Sequence, residues 1–549
     1  MKKLGVYLVL AAMTTMLFAA CGKKPEDVSV IPTQEITPTT TPEPTATPVP
    51  TATPEPTPKP KTIEEQFAEL DLAATLKQIG YDAPLFTQRF GADPCALVYD
   101  GRVYIYMTAD TIEMSYGKAK ENSYSKIKSL NVISSDDLIN WTDHGSVYAA
   151  GSNGAAKWSN NSWAPAAACK EIDGQMKFFL YFADNGSGIG VLTADSPVGP
   201  FKDPIGKQLI SKGTPNCNTV SWLFDPAVMV DEDGSAYIFF GGGPGVSNEN
   251  PGTGRCAKLG DDMISLACDP IPMDIPYLFE DSGINKVGDK YVYSYCTNWN
   301  VGAEGATKYG FTNANIAYMT SDSPLGPYTY EGVVLKHPSS YFAGDYNNNH
   351  HAIFEFNGEW YITYHTRVIA AGMGVSGLNY RSPHITKLEL NEDGLFETVQ
   401  KTDRASLEQQ KYFDPYAKVE AETMATMGGL STTQEGMISK TYGSGNMVLT
   451  DIQSGDWLAL YDVDFGENGT MAFMAAIKAE EGQSGAIQIR LDGADGVDGE
   501  VVGYLTFETD TDGEYKEIKT YLDKKVKGVH DLFFVFLGEG YTVDYWQFQ

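Results

Sequence analysis

Three acidic residues stand in equivalent surroundings far apart in the chain. Asp93, Asp225 and Glu280 each lead into an apolar run, a tight-turn dipeptide and an aromatic-rich return. The turns are Asp100-Gly101, Asp233-Gly234 and Gly288-Asp289. Trp163 and His350 head two further copies, turning at Asp173-Gly174 and Asn357-Gly358. Carboxyl groups gathered at one place can divide acid and base work. An ionised one takes a proton from water while a protonated one hands a proton to a departing group.

What must gather them is a repeated β unit. Two β-prone runs joined by Asp-Gly or Asn-Gly form a hairpin. The heads at 93, 163, 225, 280 and 350 lie 70, 62, 55 and 70 residues apart. Five hairpins at that period point to radial repetition, in which the innermost strands converge on one axis. The predicted fold is all-β: a five-bladed β-propeller over residues 62–402, its axial funnel ringed by the five heads. Thr193-Ala194-Asp195-Ser196-Pro197-Val198-Gly199-Pro200-Phe201 and Thr320-Ser321-Asp322-Ser323-Pro324-Leu325-Gly326-Pro327-Tyr328 are nearly one motif. With the variant Ser134–Trp141, they are expected to form outer blade turns.

The 549 residues leave room for more than one domain. A formal net charge of −31 argues against a nucleic-acid partner, since no basic surface is evident to neutralise phosphates. Lys2-Lys3 and the apolar run to Ala20 read as a signal peptide, residues 1–20. Cys21 follows small residues, as in a bacterial lipobox, and is the expected lipidation site. The protein is then exported and tethered to a membrane only through that anchor. Residues 21–61 are rich in Thr-Pro and cannot bury a core; an extended stalk is expected. Over Ile63–Ile79 the apolar spacing predicts a helix, opened by a capping box of Thr62 and Glu65 and packed on the outside of the propeller. Six further cysteines, at 95, 169, 217, 256, 268 and 296, lack metal-ligand spacing.

From Lys418 the pattern changes to short alternating strands between turn signals. Residues 415–549 are read as a β-sandwich of jelly-roll type. Glu420 and Glu422 lie two apart in a strand and so face one side. With Asp544 they form a candidate structural calcium site. Trp457, Tyr442 and Tyr541 are candidate sugar-stacking rings.

Taken together, these residues resemble glycoside hydrolase family 43. The matching pieces are Ala92-Asp93-Pro94, Ser162-Trp163-Ala164-Pro165, Phe224-Asp225-Pro226, Phe279-Glu280-Asp281-Ser282, and Asn347–His351 with Tyr364-His365-Thr366-Arg367. The C-terminal part resembles a family 6 carbohydrate-binding module through Val419-Glu420-Ala421-Glu422, Ser454-Gly455-Asp456-Trp457 and Asp544–Phe548. Its stretch Gly540–Asp544 lacks the asparagine that many such modules use to grip sugar.

The resemblance implies an inverting glycosidase with Asp93 as general base and Glu280 as general acid. Asp225 would be the third carboxylate, ionised and raising the pKa of Glu280. Trp163 and Arg367 would line the sugar pocket. His350 would stand at the axis, where a mostly water-coordinated calcium ion is expected. Hydrolysis itself needs no cofactor. The wording of the first blade and the appended module are most similar to members acting on arabinoxylan. The expected activity is removal of α-L-arabinofuranosyl side chains by a monomer, with plant cell-wall arabinoxylan or xylan as partner. A β-xylosidase would use the same three carboxylates. A non-catalytic surface sugar-binding protein would have no need of all three.

Overall fold

The computed structural model describes residues 59–77, 84–342, 348–402, 407–435, 446–495, 499–508 and 513–549. The chain divides into two units, Met1–Pro60 and Lys61–Gln549. The signal peptide, Cys21, almost all of the Thr/Pro stretch and Tyr442 lie outside the described residues. Among the described residues, no helix is long and apolar enough to cross a membrane.

The expected hairpins open five blades. Blade one comprises Ala92–Tyr99, Arg102–Thr108, Ser129–Ser135 and Trp141–Tyr148. Blade two comprises Trp163–Ile172, Gln175–Ala183, Gly188–Ala194 and Ile210–Ser211, and blade three Ala227–Val230, Ala236–Phe240, Arg255–Lys258 and Ile271–Pro272. Blade four comprises Leu278–Val287, Lys290–Thr297, Ile316–Ser321 and Thr329–Leu335, and blade five His351–Phe356, Glu359–Thr366 and Ser382–Leu388. The hairpins turn as their dipeptides demand, with positive φ at both central residues of Asp100-Gly101, Asp173-Gly174 and Asn357-Gly358. The three related motifs join third to fourth strands, as expected. The segment before blade one runs beside blade five and closes the ring. Leu85 N–H donates to Pro383 O and Gly91 N–H to Arg381 O, at 2.8 and 2.9 Å.

Apolar faces of neighbouring blades meet between the sheets. Phe179, Tyr181, Ile238 and Phe240 fill the seam of blades two and three; Tyr106, Leu180, Phe182 and Phe201 fill that of one and two. Each such fully buried ring is worth about 1.5–3 kcal/mol.

The C-terminal part is a sandwich of two antiparallel sheets. Leu458, Leu460, Phe473, Ile489, Phe534 and Trp546 interdigitate between them. Its Thr423–Met424 pairs with Trp141 and Thr142 and adds a fifth strand to blade one.

The N-terminal helix differs from expectation in length and in partner. Thr62 and Glu65 form the capping box, but the helix covers only Ile63–Ala68. It packs on the sandwich, not on the propeller: Phe67 is buried with Trp457, Ala459 and Phe533. The reason is a better apolar partner, continued by backbone docking. Ala73 N–H donates to Gly455 O at 2.9 Å, and Trp457 Nε1 donates to Ala73 O at 2.8 Å. A Cβ at residue 455 would stand 2.4 Å from Asp71 O, so glycine is required there. Trp457 is therefore covered by this segment, and Tyr541 is buried in the sandwich core.

Candidate active site

The heads of the inner strands acquire their aim from the backbone. In blade one Ala92 pairs with Thr108 and Cys95 with Tyr106, leaving Asp93 in a bulge at φ 49°. Blade two repeats this around Ala164 at φ 41°, and blade four around Asp281 at φ 68°. Asp225, at φ 48°, precedes the first strand of blade three. A left-handed non-glycine residue costs about 1–2 kcal/mol. Here it turns a side chain out of the pleat towards the axis. The backbone equivalents are thus Asp93, Ala164, Asp225 and Asp281. Trp163 and Glu280, which the spacing aligned with Asp93 and Asp225, each stand one residue earlier.

His350 gathers the group. Its Nδ1 lies 3.6 Å from Asp93 Oδ1 and 3.9 Å from Asp225 Oδ2, and its Nε2 lies 3.1 Å from Asp281 Oδ1. Asp281 also donates its N–H to Asp225 Oδ2 at 2.9 Å and pairs through Oδ2 with His351 Nδ1. Carboxylates from blades one, three and four therefore converge on one imidazole from the fifth.

Asp93 is buried and held on every side. Thr108 Oγ1 donates to its Oδ2 at 2.7 Å and Arg381 Nη1 to its Oδ1 at 2.8 Å. Arg381 is fixed in turn by Asp110, through Nε and Nη2 at 2.8 Å each. Burial works to raise the pKa of Asp93. The Arg381 guanidinium, followed by His350, outweighs it and brings the carboxyl down to about 2. Beside it, His365 accepts the Asp93 N–H at Nδ1, 3.0 Å away, and its Nε2 faces Asn348 Oδ1. That is the neutral tautomer, consistent with a pKa pushed far down by burial and then by Arg381.

Glu280 is in the opposite condition. Its Oε1 is sealed from solvent and, among the described residues, has no hydrogen-bond partner. Burial first, then the charges of Asp93 and Asp281, raise its pKa to about 8. Asp225 was expected to supply this charge; the leading charges are instead those of Asp93 and Asp281. Asp225 is itself raised well above the carboxylate range by burial, then by Glu280 and Asp93. Near neutral pH the site holds an ionised Asp93 and a protonated Glu280, the two states that acid–base hydrolysis requires.

Trp163 is half-exposed at the head of blade two, its Nε1 donating to Tyr124 O at 3.0 Å. Its neighbour Ala164 donates N–H to Thr108 Oγ1, the hydroxyl that holds Asp93. Arg367 is buried after the last strand residue, Thr366, and its charge bears on Tyr124 and His365. The arginine paired with Asp93 is Arg381, which sequence reasoning missed, as it missed Asp110, Thr108 and Asp281.

His350 offers both ring nitrogens to carboxylates. A calcium ion beside it would be carried by water and carboxylate oxygens, not by imidazole. In the sandwich, Glu420 and Glu422 each have an oxygen sealed from solvent and without a partner among the described residues. Burial, with Asp544 among the contributing charges, raises the pKa of both. Among the described residues no three such side chains stand close enough to cage a metal as they are. Two orphaned carboxylate oxygens beside a third acid nevertheless suit the oxygen preference of calcium.

Fold and site together define a β-propeller hydrolase with a β-sandwich appended. Residues 81–396 match Glycosyl hydrolases family 43, and residues 420–549 match Carbohydrate binding module (family 6). The chain belongs to glycosyl hydrolase family 43 and is a glycosidase. It is 46% identical to an arabinoxylan arabinofuranohydrolase of Bacillus subtilis (strain 168), covering 86% of this chain and 93% of the relative. It is 45% identical to one of Paenibacillus polymyxa, covering 85% and 74%. A crystal structure of a family 43 arabinoxylan arabinofuranohydrolase from Bacillus subtilis, in complex with cellotetraose, superposes with a TM-score of 0.80 at 45% identity, over 86% of this chain and 99% of that one.

Proposed function

We propose that this glycosidase removes α-L-arabinofuranosyl side chains from arabinoxylan with inversion of configuration. Asp93 activates water and Glu280 protonates the departing main-chain oxygen. Asp225, His350 and Asp281 hold the two in place. The observation that carries the chemistry is the contrast between Asp93, whose Oδ1 accepts from Arg381 Nη1 at 2.8 Å, and Glu280, whose Oε1 is sealed from solvent without a partner among the described residues. The names of the two relatives above support the substrate. Inversion requires the two carboxyls about 6.5–9.5 Å apart, with a water between sugar and base. We further propose that the protein is exported and lipidated at Cys21, acts as a monomer, and holds calcium at Glu420, Glu422 and Asp544.

The test is product analysis on wheat arabinoxylan and on the 4-nitrophenyl α-L-arabinofuranoside and β-D-xyloside. Arabinose should be released, with the β-anomer appearing first by NMR. Release of xylose alone would replace this reading with a β-xylosidase, and a first-formed α-anomer would exclude inversion.

A further inference from the structure

Two open cavities adjoin on the outer side of blade one, where the propeller meets the sandwich. Ser129 and Tyr148 line both, one of about 640 Å³ and the other of about 420 Å³. Each lies within the range of about 300–1,000 Å³ usual for ligand sites. They open on the face where the catalytic heads stand. Ala92 pairs with Thr108, Thr108 with Leu130, and Ser129 with Tyr148, so the outer strands of the blade end on that face too.

Three parts of the chain build this trough. Leu76 comes from the N-terminal segment, Met373 from the loop after the second strand of blade five, and Leu430 from the sandwich. Backbone pairing of Thr423–Met424 with blade one holds the sandwich there, and Thr426 Oγ1 donates to Lys77 O at 3.3 Å. Thr111, Ser129 and Tyr148 add hydroxyls to the apolar side chains, and that of Tyr148 has no partner among the described residues. Among the described residues, the charged side chains lining the larger cavity are Arg89 and Asp110, and both are engaged, with Asp143 and Arg381 respectively. Lys128, in the smaller cavity, adds a hydrogen-bond donor. Apolar walls, a few hydroxyls and charges already neutralised suit a neutral sugar chain better than an ion.

The trough and the funnel share a wall, the loop of residues 109–128. Asp110 and Thr111 at its start line the trough, and Asp110 also holds Arg381. Further along, the ring of Tyr124 stands 4.9 Å from the Arg381 guanidinium, and its carbonyl accepts the Trp163 indole N–H. A branched polymer with one side chain in the funnel extends across this face, where the trough lies open to it. We infer that the trough between blade one and the sandwich holds a second stretch of xylan main chain, away from the bond being cut. This rests on the polysaccharide substrate proposed above and adds a site that joins the two modules. A second foothold makes entry of each side chain into the funnel an intramolecular event and raises its effective concentration.

The test is hydrogen exchange, followed by mass spectrometry, on the full chain carrying E280Q, with and without xylohexaose. Exchange over residues 146–154 and 427–431 should slow about threefold or more when the oligosaccharide is bound. The same measurement is made with Y148A added, and with N153W, which fills the smaller cavity from an exposed loop position. Slowing at the trough should be lost in these variants while the funnel loops 241–254 and 298–315 keep theirs. Loss in either variant supports the site, so N153W decides if Y148A does not fold. Slowing confined to the funnel loops of the parent would overturn the inference. So would trough slowing that survives both variants, or that vanishes together with slowing at the funnel, because the trough would then only report binding elsewhere. If the protein releases no arabinose, the proposed activity falls, while this measurement, which involves no turnover, still decides the trough.

Discussion

The backbone N–H of Asp281 donates to Oδ2 of Asp225 at 2.9 Å, while the carboxylate of Asp281 faces His350 and His351. One residue thus joins blades three, four and five directly beside Glu280. Its negative charge follows burial and Asp93 among the causes that keep Glu280 protonated. Asp281→Asn keeps the backbone bond and removes the charge. The basic limb of the kcat/KM–pH profile, which lies near 8 if Glu280 sets it, should move to lower pH. An unmoved limb would show that another group governs it.

Loss of the base and loss of the acid should be distinguishable. Asp93→Asn removes activation of water and should cost about 10²–10⁴-fold whatever departs. Glu280→Gln removes proton delivery, which matters less when the leaving group is already acidic. Its loss should therefore be large on arabinoxylan and clearly smaller on the 4-nitrophenyl arabinofuranoside. The opposite pattern would exchange the two roles. Asp225→Asn should alter rate and pH profile while KM stays close to that of the parent.

Why these groups were legible, and others were not, follows from the range of the forces that place them. Asp93 and Asp225 sit just ahead of apolar runs, and an Asp-Gly turn fixes each hairpin locally, so the heads and the blades could be read in order. The bulge is different. It shifts Glu280 one residue against Asp93, and repeats of unequal length hide a one-residue shift. That concealed Asp281. Arg381 reaches Asp93 across 288 residues from a loop without a motif. Only closure of the ring brings it there. The N-terminal capping box is equally local and was readable. The surface its apolar side would choose was not, because one turn of helix fits any apolar face.

Arg381 gives a prediction with two readouts. Arg381→Ala leaves Asp93 and Asp110 buried without their cation, which typically costs about 3–5 kcal/mol. The urea midpoint should fall accordingly. In the parent, Asp93 is held near 2, below its unfolded value of about 3.9. Its share of the stability is therefore complete above about pH 4 and is lost as pH falls towards 2. Without Arg381 that loss on acidification should shrink, and the acid limb of activity should move upwards. A variant with the parent's midpoint and acid limb would mean that the ion pair is not formed in solution.

Phe67 tests whether the N-terminal segment belongs to the sandwich. Its ring is buried against Trp457, Ala459 and Phe533, and Tyr504 stands 5.5 Å from it. Phe67→Ala should cost about 3–5 kcal/mol, the usual range for emptying an aromatic site in a core. The loss should appear in unfolding of the sandwich, with faster proteolysis between Lys61 and Lys77. Fluorescence of Trp457 should shift to the red as its cover loosens. Among the described residues Phe67 packs with the sandwich and not with the catalytic axis, so kcat/KM on the aryl arabinofuranoside should match the parent. A fall in turnover with unchanged proteolysis would place this segment on the propeller after all.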